Sequence, residues 1–198
     1  QVTLNRSISD KRFILGSGSS RRLDLLMQIG IKPDLIIPPD IDESFNKLEL
    51  PKNYCMRMAR EKAEAILIEE NEVLLTADTT VSLGRTIIGK PQNKNQAREY
   101  LLMLSGRRHK VITAVGIRYQ EMYLERCVVS TVKMKRISNI DLEAYLSKGE
   151  WKGKAGGYAL QGTAAVFIPW VQGSYSAIIG LPLSETAALL GSVGIRPS

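Results

Sequence analysis

The chain has 198 residues, 44% of them apolar and 24% charged, which is the make-up of an ordinary globular protein long enough for a sizeable core. No apolar run approaches membrane-spanning length and the opening QVTLNRSISDK has no signal-peptide core, so we expect a cytoplasmic protein without a membrane partner. The net charge of +7 asks for an anionic partner, either nucleic acid, a membrane surface or a small phosphorylated ligand.

We expect residues 1–12 to form a leader and 13–198 a single domain. Cys55 and Cys127 are too few for a disulfide framework and read as reduced core thiols. The single histidine, His109, excludes zinc sites built from His and Cys, and a Ser-His-Asp triad would have to use it. Set between basic neighbours, His109 reads as a surface residue. Chemistry is left to carboxylates, lysines, arginines and a hard metal.

Residues 13–15 read as a strand and 21–29 as a helix, with Leu25, Leu26 and Ile29 inward and Gly30 ending it. Between them GSGSSRR points several backbone N–H groups at one spot, an anion cradle. Arg21 and Arg22 fall in the first helical turn, where the dipole repels cations unless an anion lies between. They read as a bidentate phosphate clamp, the alternative being that both lie in solvent at small cost.

A second strand is expected over 32–38, then a carboxylate-rich loop, PPDIDES, containing Glu43. Helix 52–70 follows. At about 100° per residue, Arg57, Arg60, Glu61 and Glu64 share one face. Lys62 lies on the opposite arc with Tyr54, Cys55, Met58, Ala59 and Ile66, where it either snorkels outward or faces a buried anion. Strand 73–83 carries Asp78 inside the run VLLTADTTVSL, an expensive position unless the carboxylate is paired, metal-bound or catalytic. A turn at Gly84-Arg85 returns the chain through 86–88 as a hairpin. Lys90, just beyond, can aim its ammonium into the same cleft. Glu43, Asp78 and a triphosphate together make a ligand set that octahedral Mg²⁺ or Mn²⁺ takes, with waters completing it.

Helix 96–104 closes at Ser105-Gly106. Strands are expected over 111–119, 124–136 and 164–171, with a short helix over 141–146. The end repeats the opening grammar: strand 177–179, Gly180-Leu181-Pro182, cap Ser184, helix 185–190 and Gly191. Hairpins mixed with strand–helix units predict a mixed α/β sheet, with room for a second lobe around 80–125.

In this order, GSGSSRRLDLL, the Glu43 loop, AREKA at 59–63, ADTTV, GKP at 89–91, LSGRRHKVITAV at 104–115, GKAGGYALQG at 153–162 and GSYSAIIGLPLSET at 173–186 resemble the Maf family. These are nucleoside triphosphate pyrophosphatases, also called septum formation inhibitors. The resemblance implies an α/β fold of the Maf/ITPase-like kind: a mixed twisted β-sheet flanked by helices, with a cleft between two lobes. It implies hydrolysis of a nucleoside triphosphate to the monophosphate and pyrophosphate, assisted by Mg²⁺ or Mn²⁺. Asp78 matches the proton acceptor for the attacking water. Asp78 and Glu43 then hold the metal, and Ser17, Ser19, Arg21, Arg22, Lys62 and Lys90 the phosphates. Such attack needs charge neutralisation more than a strong base.

The first motif departs from the family, which usually carries alanine and proline where this chain has Gly16 and Ser20. Serine is a good cap, so Ser20 can start the helix, and a looser loop is expected. Arg21, Thr79 and Gln161 match the specificity positions of the dTTP/UTP branch. The branch preferring methylated guanine nucleotides usually has Gln after the aspartate and Glu in the later motif. An amide such as Gln161 can donate to a pyrimidine oxygen while accepting from N3–H, whereas a glutamate can only accept. The resemblance also implies a homodimer that cleans the nucleotide pool and has no stable nucleic-acid partner. The rival reading is a regulatory septum-formation inhibitor that binds nucleotides or nucleic acid without significant turnover.

Overall fold

The computed structural model describes residues 11–198, so most of the expected leader lies outside the described residues. The long apolar run in the middle of the chain forms the central strand β3 (Glu72–Leu83), buried along almost its whole length, as suits a strand covered on both faces. Strands β1 (Arg12–Gly16) and β2 (Leu35–Ile36) run parallel to one another, and β1 runs parallel to β3. The remaining pairings are antiparallel: β3 with β4 (Thr86–Ile88) and with β5 (Arg108–Tyr119), β5 with β6 (Met122–Lys133), and β6 with β7 (Trp170–Gln172). The spatial order is β2-β1-β3-β5-β6-β7, with β4 on β3, giving the mixed sheet that the hairpins predict.

One edge of β3 is shared. β1 pairs with residues 72–76 and β4 with 81–83, so no described strand covers that edge over 77–80. A window in the sheet opens there.

Alternation along β3 gives its two faces different partners. Leu74 packs with Ala63 and Ile66, and Thr76 Oγ1 donates to the Ala59 carbonyl, so the even face meets α2 (Pro51–Glu64). Val73, Leu75 and Ala77 pack with Leu25 and Leu26 of α1 (Ser20–Gln28) and with Leu189 and Leu190. Fully burying a side chain such as Leu26 stabilises by about 2 kcal/mol.

A second core gathers Val81, Ile88, Val111 and Val132 with α3 (Lys94–Leu104) and α4 (Asn139–Ser147). This lobe draws on 81–111 and 132–178 rather than on 80–125, because β5 and β6 are long enough to cross both lobes.

Several elements differ from expectation. Helix α2 stops at Glu64, and Ile66 turns inward against Ile14 and Leu74 instead of continuing the helix. The expected strand 32–38 shrinks to the two residues of β2, and β5 and β6 begin earlier than their apolar patterns suggest. Residues expected as strand 164–171 form a 3-10 turn over Thr163–Phe167 and then β7; Ala164 and Phe167, three apart, both face the core. The expected strand 177–179 is the end of a short helix, α5 (Tyr175–Ile179), capped by Ser174, whose Oγ accepts from Ala177 N. The cap of α6 (Leu183–Ser192) is Pro182 rather than Ser184, and the helix runs through Gly191. Cys55 is buried and Cys127 half-buried, both as free thiols. Among the described residues no helix is long and apolar enough to cross a membrane.

Candidate active site

The strand-to-helix turn after β1 forms one wall of a cleft of about 450 Å³. Ser19 caps α1 and Ser20 is its first residue, so the cap falls one position earlier than expected. Ser17 is buried, and its Oγ accepts from the Ser19 N–H at 3.2 Å and from Arg22 Nη1 at 3.1 Å. Its own hydroxyl proton is left to donate into the cleft.

The two arginines divide. Arg22 is a brace: Nε donates to the Gly180 carbonyl at 2.8 Å, Nη1 to Ser17, and Nη2 to Thr79 Oγ1 at 3.2 Å. Burial lowers its pKa, partly opposed by the Asp78 carboxylate. Gly180 sits at φ +143°, a conformation that glycine adopts without strain, which lets its carbonyl meet the guanidinium. Arg21 lines the cleft with a buried Nε that has no hydrogen-bond partner, and burial lowers its pKa too. Of the pair, Arg21 is the one with donor capacity to spare for a ligand. The dipole mismatch of the sequence is thus relieved for Arg22 by protein acceptors.

On the other face of β3, Lys62 turns inward rather than snorkelling and is only 7% exposed. Its ammonium lies 2.8 Å from Asp78 Oδ1 and 3.0 Å from Glu43 Oε1. Lys90 reaches Glu43 Oε2 at 3.1 Å. Asp78, 8% exposed, takes a further hydrogen bond from Thr80 Oγ1 at 2.9 Å. Burial raises the Glu43 pKa, but the Lys62 charge and the hydrogen bonds from Lys62 and Lys90 outweigh it and hold the carboxyl below its ordinary value. The Glu43 loop is fastened from beneath: Tyr54 Oη donates to the Glu43 carbonyl at 2.6 Å, and Arg57 donates to the Ser44 carbonyl and to Glu49.

The window at 77–80 explains how two neighbours on a strand, Asp78 and Thr79, face opposite ways and still line one cleft. The structure brings Ser17, Ser19, Arg21, Arg22, Glu43, Lys62, Asp78, Thr79, Lys90 and Gln161 to its walls. Among the described residues no group of three or more His, Cys, Asp or Glu side chains stands together as a metal site. Two carboxylates converging on one ammonium, with phosphate oxygens and water to follow, still suit a hard cation that keeps several waters.

His109 is the clear correction. It is 2% exposed, and Nε2 lies 2.5 Å from the hydroxyl of Tyr158, which lines the cleft beside Leu160 and Gln161. Burial pushes its pKa down to about 4. Its place in the alternating strand pattern, inward with Val111 and Thr113, is the signal that its basic neighbours obscure. Thr113 carries no local signal of a role; only the cross-strand register places it opposite Thr79.

The Maf-like protein family model matches residues 12–193. A dTTP/UTP pyrophosphatase of Ruegeria sp. (strain TM1040) is 58% identical over 92% of this chain and 94% of its own length. One from Cereibacter sphaeroides is 56% identical over 92% of this chain and 95% of its own. A nucleoside triphosphate pyrophosphatase of Anaplasma marginale (strain St. Maries) is 50% identical over 90% and 92%. A solved HAM1 protein from Coxiella burnetii shares the fold at 13% identity, with a TM-score of 0.51 over 92% of this chain and 99% of that one. With a family model spanning both lobes and relatives of this identity along nearly the whole length, the chain belongs to the Maf-like protein family.

Proposed function

We propose that this chain hydrolyses nucleoside triphosphates, dTTP and UTP in preference, to the monophosphate and pyrophosphate. The observation that carries the reading is the window in the sheet. It puts the Asp78 carboxylate, the cations Lys62 and Lys90 and the 16–22 cradle into one cleft large enough for a nucleotide. The relatives bearing that activity by name support the substrate.

Asp78 accepts the proton as water attacks the α-phosphorus; the bond to the bridging oxygen breaks and pyrophosphate leaves. Thr80, on Oδ2, holds the carboxylate in place. When an anionic triphosphate arrives, Lys62 and Lys90 exchange carboxylate partners for phosphate oxygens, and Arg21 and the Ser17 hydroxyl join them. Glu43 and Asp78 would hold a Mg²⁺ or Mn²⁺ ion, which when bound neutralises phosphate charge. On the base side, the Gln161 amide donates to a pyrimidine carbonyl. We place the enzyme in the cytoplasm, as a homodimer without a stable nucleic-acid partner, where it removes nucleotides from the pool.

The test is pyrophosphate release from dTTP, UTP, CTP, GTP, ATP and 7-methyl-GTP with Mg²⁺ or Mn²⁺. Release mainly from dTTP and UTP is expected. Nucleotide or nucleic-acid binding without turnover would favour the regulatory reading instead.

A further inference from the structure

The hydrogen bonds behind Thr79 have a single direction. Arg22 Nη2 donates to Thr79 Oγ1 at 3.2 Å, and a guanidinium can only donate. At the far end, Thr113 Oγ1 lies 2.6 Å from the Ala177 carbonyl, which can only accept, so the one hydroxyl proton of Thr113 goes there. Between them, Thr79 Oγ1 and Thr113 Oγ1 stand 3.0 Å apart. With the Thr113 proton committed, the proton of this middle bond comes from Thr79. The chain therefore runs Arg22 → Thr79 → Thr113 → Ala177, every donor and acceptor assigned without choice.

Its members are held in place. Thr79 and Thr113 face each other in the β3–β5 register, Thr113 is 0% exposed, and Ala177 sits in the capped turn of α5. A free threonine hydroxyl rotates to suit its ligand. Thr79 cannot: its proton points at Thr113, one lone pair is taken by Arg22, and a single lone pair remains on a side chain that lines the cleft.

We infer that Thr113 is a positioning residue that fixes Thr79 as a hydrogen-bond acceptor toward the base, so the site selects the N3–H of thymine and uracil and rejects cytosine, whose N3 is a bare acceptor. This rests on the nucleotide reading above and refines it, leaving the Gln161 amide for a flanking carbonyl. Sites that demand a hydrogen bond reject analogues lacking its partner more strongly than apolar pockets reject a missing methylene.

The test is kcat/KM for UTP and CTP with the wild-type protein, Thr113→Val and Thr113→Ser. Valine keeps the branched shape but frees the Thr79 proton to turn into the cleft, where it can donate to cytosine N3. The UTP-over-CTP ratio is expected to be at least tenfold in the wild type, to fall at least fivefold in Thr113→Val, and to recover in Thr113→Ser. A folded Thr113→Val with the wild-type ratio would overturn the inference while leaving the enzyme reading intact. A wild type indifferent between UTP and CTP would instead sink the base assignment, and the inference with it. If Thr113→Val does not fold, Thr113→Ala takes its place: a fallen UTP-over-CTP ratio supports the inference, and the wild-type ratio overturns it.

Discussion

The two faces of β3 at residues 78 and 79 solve opposite problems with the same backbone. Toward α2, Asp78, Lys62, Glu43 and Lys90 form a line of charges paired with one another. Toward α1 and α5, Arg22, Thr79, Thr113 and the Ala177 carbonyl form a directed chain whose links beyond the guanidinium are neutral. Charges that neutralise each other can exchange partners when a triphosphate and a cation enter. A chain whose donors are all assigned cannot rearrange without leaving a buried group unsatisfied, at a cost of about 1–3 kcal/mol. The mobile pairing suits chemistry and the fixed one suits recognition. Both line the one cleft at the sheet window, where the proposed substrate would meet them together.

Breaking the charged face gives the largest expected effect. Asp78→Asn removes the proposed proton acceptor and one partner of the buried Lys62, so pyrophosphate release is expected to fall on every nucleotide by roughly 10³-fold, within the range for loss of a general base. Steady-state rates on UTP and dTTP check it.

The second core, where His109 meets Tyr158, has its own weakness in acid. Because burial holds His109 near a pKa of about 4, against an ordinary value of 6.5, the unfolded chain takes up its proton first as pH falls. The stability from this group is complete above pH 6.5 and is lost progressively toward pH 4, at up to about 1.4 kcal/mol per pH unit. Glu43, held below its ordinary value, stays charged through most of that window. Denaturant midpoints across the range should slope in the wild type and flatten in His109→Gln.

A gentler break targets selectivity. Gln161→Glu replaces a donor with a pure acceptor and should lower the preference for UTP over GTP by about tenfold, equal to about 1.4 kcal/mol. A competition assay reads this directly, and an unchanged profile would remove Gln161 from the base side.

The smallest effect concerns the departure at Gly16. A Cβ there would lie 2.8 Å from Thr76 Cγ2 and 2.9 Å from Leu74 Cδ1, so neighbouring side chains fill the space that alanine needs. Gly16→Ala should cost about 1 kcal/mol through overpacking, seen as a lower Tm with selectivity unchanged.

What could be read in advance follows how local each signal is. Lys62 on an apolar helix seam and Asp78 in a β-branched run stand out because each breaks a local pattern, and both sit at the charged centre of the cleft. Hairpins among strand–helix units foretell the mixed sheet, while the cleft is legible only through the family resemblance of the ordered motifs. The bracing role of Arg22 has no local signature, because two of its acceptors, Thr79 and Gly180, lie far along the chain. The window at 77–80 depends on where two separate strands stop pairing. His109 reads as a surface residue because local charge masks strand alternation, and α5 reads as a strand because a short apolar run fits strand and helix equally.

The division of labour along β3 is tested most directly by Lys62→Met, with kcat/KM measured for UTP and CTP. The substitution removes the ammonium between Glu43 and Asp78, which takes part in none of the hydrogen bonds of the Thr79 face. The account predicts that both values fall by the same large factor, leaving the UTP-over-CTP ratio at its wild-type value. A ratio that shifts with Lys62 would contradict it, because charge and recognition would then be one system rather than two.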